Sequence, residues 1–102
     1  MKTLDATTID EARAVQLFRA LANPVRYRIV QLLAARNECI VGDLVEALPL
    51  TQSSVSEHLT VLKDAGLVQG TFDGPNRCYC LDPEAFTFLR TLFTSLERQA
   101  CY

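Results

Sequence analysis

Apolar residues recur along this chain at helical spacing in several segments, each opened or closed by residues that suit a helix end. Between residues 51 and 66, Val55, Leu59 and Leu62 fall at i, i+4 and i+7, which draws one core-facing stripe along a helix. Gln52, Ser53, Ser56, Glu57, Thr60 and Lys63 lie on its other side. Thr51 is a good N-cap for it, and Gly66 suits the position just past its end. Upstream, TIDEARAVQLFRALAN reads as a helix, with Thr8 as N-cap, Glu11 completing a capping box, and Leu17, Phe18 and Leu21 as its apolar edge. Asn23-Pro24 closes that helix and opens the next, VRYRIVQLLAARN, with Ile29, Val30, Leu32 and Leu33 as core. Residues 38–41 read as a short β piece. A brief helix, DLVEAL, follows from Gly42-Asp43, and Pro49-Leu50 makes a turn. Past Gly66, two β runs joined by Asp73-Gly74-Pro75-Asn76 read as a hairpin. Asp82-Pro83 then starts a last helix, whose Ala85, Phe86, Leu89, Leu92, Phe93 and Leu96 form a broad apolar stripe.

A polar helix followed directly by a hairpin is the order of a winged helix-turn-helix, mostly α with a small β-hairpin wing. Short hydroxyl and amide side chains on an exposed helix suit base edges and phosphates, so double-stranded DNA is the leading partner. Residues 1–7 read as a flexible arm and 8–102 as a single domain. The last helix is too apolar to stand alone, and with the first it would expose a large apolar patch. A two-fold dimer through the first and last helices follows, with Leu17, Phe86, Leu89, Phe93 and Leu96 at the interface.

Composition narrows the class. A chain of 102 residues with 49% apolar and 22% charged side chains suits one globular domain. No apolar run approaches the ~20 residues of a membrane span, and Lys2, Asp5, Asp10 and Glu11 do not make a leader peptide. A cytoplasmic protein is expected. The net charge of −2 argues against a nonspecific nucleic-acid coat, but a sequence reader needs only a local basic face. Arg26, Arg28, Lys63 and Arg77 supply one if the fold brings them together. No Gly-rich phosphate loop is present, and the single histidine, His58, has no nucleophile beside it. An enzyme is not expected.

Four cysteines, Cys39, Cys78, Cys80 and Cys101, do not suggest a disulfide framework in a small cytoplasmic protein. Cys78 and Cys80 at i, i+2 on a strand share one face, with Cα atoms ~6.5–7 Å apart. That separation hinders a mutual disulfide and favours ligation of a soft ion. Cys39, within an apolar piece, reads first as a small buried hydrophobe.

FRALANPVRYRIVQLL, VGDLVEAL, TQSSVSEHLTVLKDAGLV and the hairpin ending in CYCLDPE together resemble the ArsR/SmtB family of small dimeric metal-responsive repressors. The likeness runs roughly from Ala12 to Leu96. It implies a homodimer that occupies an operator near its own promoter and is released by an inducer. It further implies that Gln52, Ser53, Ser54, Ser56, His58 and Thr60 face DNA, with Arg77 serving the wing; Lys63, from the basic face, is a further DNA-binding candidate. Two inducer sites of the family are missing here. Ile40 and Gly42 stand where one common arsenic site has its C-x-C pair, and the last helix offers Asp82 but no histidine, so no zinc site is recognised. Cys78, Cys80 and Cys101, with Cys39 as a further candidate, remain as a sulfur set for As(III), Sb(III) or methylarsenite. The same thiols also suit a redox- or persulfide-sensing repressor pairing Cys80 with Cys101 or Cys39. A winged-helix protein-interaction module that does not bind DNA is a third alternative.

Overall fold

The computed structural model describes residues 5–37, 39–73 and 76–101, with side chains over 11–37, 41–70 and 78–101. Its elements run α1 (Asp5–Leu21), α2 (Pro24–Arg36), β1 (Cys39–Ile40), α3 (Val41–Ala47), α4 (Gln52–Ala65), β2 (Val68–Asp73), β3 (Asn76–Leu81) and α5 (Pro83–Gln99). The three strands form an antiparallel sheet in the order β1-β3-β2. This is the winged helix-turn-helix order, with β2 and β3 as the wing. No helix among the described residues is long and apolar enough to cross a membrane.

Local chemistry sets most boundaries. The Asn23 side chain accepts from the backbone N–H groups of Val25 (2.9 Å) and Arg26 (3.1 Å), with Pro24 at the first helical position. Thr51 Oγ1 accepts from the Ser54 N–H and Asp82 Oδ1 from the Glu84 N–H, so each opening helix satisfies a donor that would otherwise be orphaned. Gly66 ends α4 at φ +89°, where its own N–H reaches Lys63 O and the Leu67 N–H reaches Leu62 O. That left-handed cap suits glycine because a Cβ is disfavoured there.

Two boundaries differ from the sequence reading. The first helix starts at Asp5 rather than at Thr8, so Thr8 lies inside the helix and is not its cap. No Gly or Pro interrupts residues 5–8, and each added residue brings one backbone bond once a helix exists. Residues 5–7 therefore belong to α1, and 1–4 lie outside the described residues. The short third helix begins at Val41, so β1 is limited to Cys39 and Ile40. The hairpin turn positions Gly74 and Pro75 lie outside the described residues.

The core is built from the inward rows of the helices and one face of the sheet. Leu17, Ile29, Leu33, Leu44, Val55, Leu59, Leu62, Leu67 and Ala85 are wholly buried. Each large aliphatic among them contributes about 1.5–3 kcal/mol through removal from water. Leu32, expected as core, is only partly buried against this cluster. Tyr79 on β3 lies across Gly70 of β2, where an added Cβ would sit 3.0 Å from the ring, so the glycine makes room for the tyrosine.

The last helix lies alongside the first. Arg13 pairs with Glu84 and sits 4.4 Å above the Phe88 ring centroid, while Phe18 stacks on Phe93 at 5.8 Å. Since residues 13 and 18 meet 84–88 and 93 in that order, the two helices run parallel. Together they leave Val15, Phe18, Phe93 and Leu96 exposed, the last two more than half so. Leu17, in contrast, is wholly buried, and Leu89 is only 6% exposed. Both were expected at a dimer interface, but they point into the protomer's own core and are not available to a second copy.

Candidate nucleic-acid interface and thiol positions

The α4 helix presents a polar surface because its three buried residues take one stripe and leave the rest outward. Gln52, Ser53, Glu57, Thr60, Val61, Lys63 and Asp64 are exposed; Ser54, Ser56 and His58 are half-buried. Ser53, Glu57, Thr60 and Asp64 follow one another at i+4, i+3 and i+4, directly opposite the buried stripe. Glu57 was not among the residues expected to face DNA, yet it occupies the middle of this outward row. Its signal was available, since it lies two residues from Val55 and two from Leu59 on the far side of the wheel. A carboxylate there repels phosphates and can accept from a cytosine amino group.

The remaining expected contacts divide. Gln52, Ser53, Ser54 and Ser56 gather at the N-terminal half of α4, the part that reaches base edges when a helix of this motif enters a major groove. Thr60 lies further along, and its hydroxyl donates to Ser56 O at 3.0 Å, so its proton is already used within the helix. Lys63 is exposed near the C-terminal end. The Arg77 side chain lies outside the described residues. Arg26 does not extend toward an outer ligand: its Nε donates to Ala20 O (2.7 Å), its Nη2 to Arg19 O (3.3 Å), and its Nη1 lies 3.4 Å from His58 Nδ1. The expected basic face therefore loses Arg26 to an internal role.

Among the thiols, β3 brings two together. Cys78 and Cys80 are free, half-buried, and alternate with the buried Tyr79, so they share the sheet face turned away from it. Cys39 stands in register with Tyr79, not with either thiol. Its side chain lies outside the described residues. Cys101 is exposed past the end of α5. A helix of 17 residues carries the chain about 25 Å from the end of β3, so Cys101 is not beside Cys78 and Cys80 of its own subunit. Among the described residues, no three His, Cys, Asp or Glu side chains of one subunit converge. The pair that shares one strand face is all sulfur, which fits a soft ion and not a hard one.

Comparison with known proteins places this arrangement. Residues 23–69, from the cap of α2 to the start of the wing, match the family of bacterial regulatory proteins described as the arsR family. The chain is 43% identical over 74 residues to the HTH-type transcriptional regulator Rv2034 of Mycobacterium tuberculosis, covering 72% of this chain and 68% of that protein. It resembles the crystal structure of a possible transcriptional regulator for arsenical resistance, with 40% identity, a TM-score of 0.69, and coverage of 85% of this chain and 97% of that one. Reduced HlyU from Vibrio cholerae N16961 aligns at 33% identity and a TM-score of 0.69, over 97% of this chain and all of that one. The matched span covers between 50% and 68% of the first curated relatives. The chain belongs to the arsR family of bacterial regulatory proteins: it is a winged helix-turn-helix transcriptional regulator and not an enzyme.

Proposed function

We propose that this chain is a homodimeric repressor whose α4 helices read operator DNA, and that a trivalent metalloid bound by thiolates releases it. The observation that carries the inducer reading is the pair Cys78 and Cys80, free, half-buried and on one face of a wing strand. The apolar strip of Val15, Phe18, Phe93 and Leu96 supports the dimer. A two-fold axis crossing α5 between Phe93 and Leu96 runs the two copies of α5 antiparallel. It brings Cys101 of the partner subunit to within roughly 10 Å of the start of α5, where β3 ends. Methylarsenite needs only the two wing thiolates; As(III) or Sb(III) takes the third from Cys101 of the partner subunit.

A dimer of this kind sets its two recognition helices ~34–36 Å apart, one turn of duplex DNA. Ligation on the wing releases the operator only if the ion binds the DNA-free arrangement more tightly. A coupling of about 2–3 kcal/mol lowers operator affinity roughly 30- to 150-fold. Location in the cytoplasm follows from this role.

A second reading keeps the repressor and makes thiol oxidation its input. The likeness to HlyU in a reduced form supports it. The test is fluorescence anisotropy of the reduced protein on DNA from upstream of its own gene, with arsenite titrated in. Release by near-stoichiometric arsenite, reversed by excess dithiol and lost in Cys78→Ser with Cys80→Ser, supports the metalloid. Release by mild oxidant alone supports the second reading, and failure to bind duplex DNA at low salt ends both.

A further inference from the structure

Arg26 joins three helices at one point. Its backbone N–H is held by the Asn23 cap at the start of α2, two of its three guanidinium nitrogens donate to the Arg19 and Ala20 carbonyls at the end of α1, and the third nitrogen faces His58 on α4. The carbonyls of a helix's last turn lack partners within the helix, so Arg26 has a structural use there. The third contact has a chemical consequence. A guanidinium only donates and stays protonated, so the His58 nitrogen it faces at 3.4 Å, Nδ1, is placed to accept rather than to donate. In a neutral imidazole the proton then sits on Nε2.

We infer that Arg26 is a positioning residue for the recognition helix: it holds His58 as the Nε2–H tautomer in one ring orientation, so that α4 offers a neutral N–H donor to operator DNA. The inference rests on the DNA-binding reading above. Its ligand chemistry is a hydrogen-bond acceptor on the duplex, either a purine N7 or a phosphate oxygen. His58 is half-buried on the flank of α4 between the outward row and Arg26, so its ring bridges the protein interior and the nucleic-acid side.

His58 is the chain's only histidine, so its two ring nitrogens can be followed by long-range ¹⁵N–¹H correlation in the free dimer without assignment. The expected result is an unprotonated Nδ1 and a protonated Nε2; a protonated Nδ1 overturns the inference. Substitution separates the nitrogens in function. His58→Gln places an amide near Nε2 and is expected to keep operator affinity within about threefold, whereas His58→Asn, which reaches only the Nδ1 position, loses about tenfold. Arg26→Lys keeps one donating nitrogen and preserves the tautomer, while Arg26→Met removes every donor and loses about tenfold on operator DNA. Equal binding by His58→Gln and His58→Asn overturns the inference without depending on how well Arg26→Met folds. Operators with 7-deazapurines or single methylphosphonates then identify the acceptor: loss at one base marks N7, loss at one linkage marks phosphate, and loss at neither overturns it. If the wild-type protein binds no operator, the repressor reading fails while the nitrogen signature still reports on Arg26.

Discussion

Removing the apolar strip on α5 is the perturbation with the largest expected effect. Phe93 and Leu96 are 53% and 54% exposed in the single chain. An aromatic side chain carries 150–250 Å², so each leaves roughly 100 Å² to be covered. Across a two-fold, four such side chains bury about 400 Å², worth about 10 kcal/mol before the costs of association. Phe93→Ser with Leu96→Asp removes most of this and places two like charges at the axis. Even half of that gross gain, about 5 kcal/mol, corresponds to more than a thousandfold in the dimer constant. Sedimentation equilibrium at micromolar protein should therefore show a species near 11.4 kDa in place of one at twice that mass. The Phe18–Phe93 stack lost within the protomer costs only about 0.5–1.5 kcal/mol, so the variant still folds, and Leu96→Asp alone spares that stack. A double variant that remains dimeric refutes the assignment of this strip to the interface. A wild-type protein that sediments as a monomer refutes the dimer itself.

Three further outcomes follow from the same geometry. Leu59→Ala, at a wholly buried position on α4, should lower unfolding free energy by about 2–5 kcal/mol in urea melts; a loss under 1 kcal/mol, roughly a surface effect, would mean the helix is not seated on the core as described. Gly66→Ala meets open space but must hold φ at +89°, so it should cost about 1 kcal/mol through backbone strain alone, read as a lower urea midpoint with an unchanged slope. Glu57→Gln removes a carboxylate from the centre of the outward row, and should tighten binding to random duplex DNA about two- to fivefold at low salt, with the gain fading as salt rises. Unchanged random-DNA binding would show that the row does not face phosphates.

The readable parts of this chain are those whose cause is local. Asn23-Pro24, Thr51, Gly66 and Asp82-Pro83 announce helix ends because a cap is a bond between residues two or three apart. The stripe of Val55, Leu59 and Leu62 announces a buried face because helix periodicity is fixed by backbone geometry. The hairpin and the facing of Cys78 with Cys80 follow from strand alternation in the same way. The start of α1 was misread because a capping signature at Thr8 is a weak local signal when nothing upstream stops the helix.

What only the tertiary structure decided depends on which elements meet. Leu17 and Phe18 look equivalent along the sequence, yet the first is buried in the protomer and the second is left beside Phe93, since α4 and α2 pack against only one side of α1. Cys39 was a candidate partner for the wing thiols until its register opposite Tyr79 set it apart. Cys101 was placed out of reach of its own subunit's wing by the straight length of α5. Arg26 reads as one more surface cation, and only the crossing of α1, α2 and α4 turns it inward onto two carbonyls and His58. The sequence by itself determined the elements, their ends and the polar helix, because bonds and periodicity over a few residues suffice for those. Long-range packing decided which equivalent side chains became core, interface or site, because that choice is made by neighbours dozens of residues away.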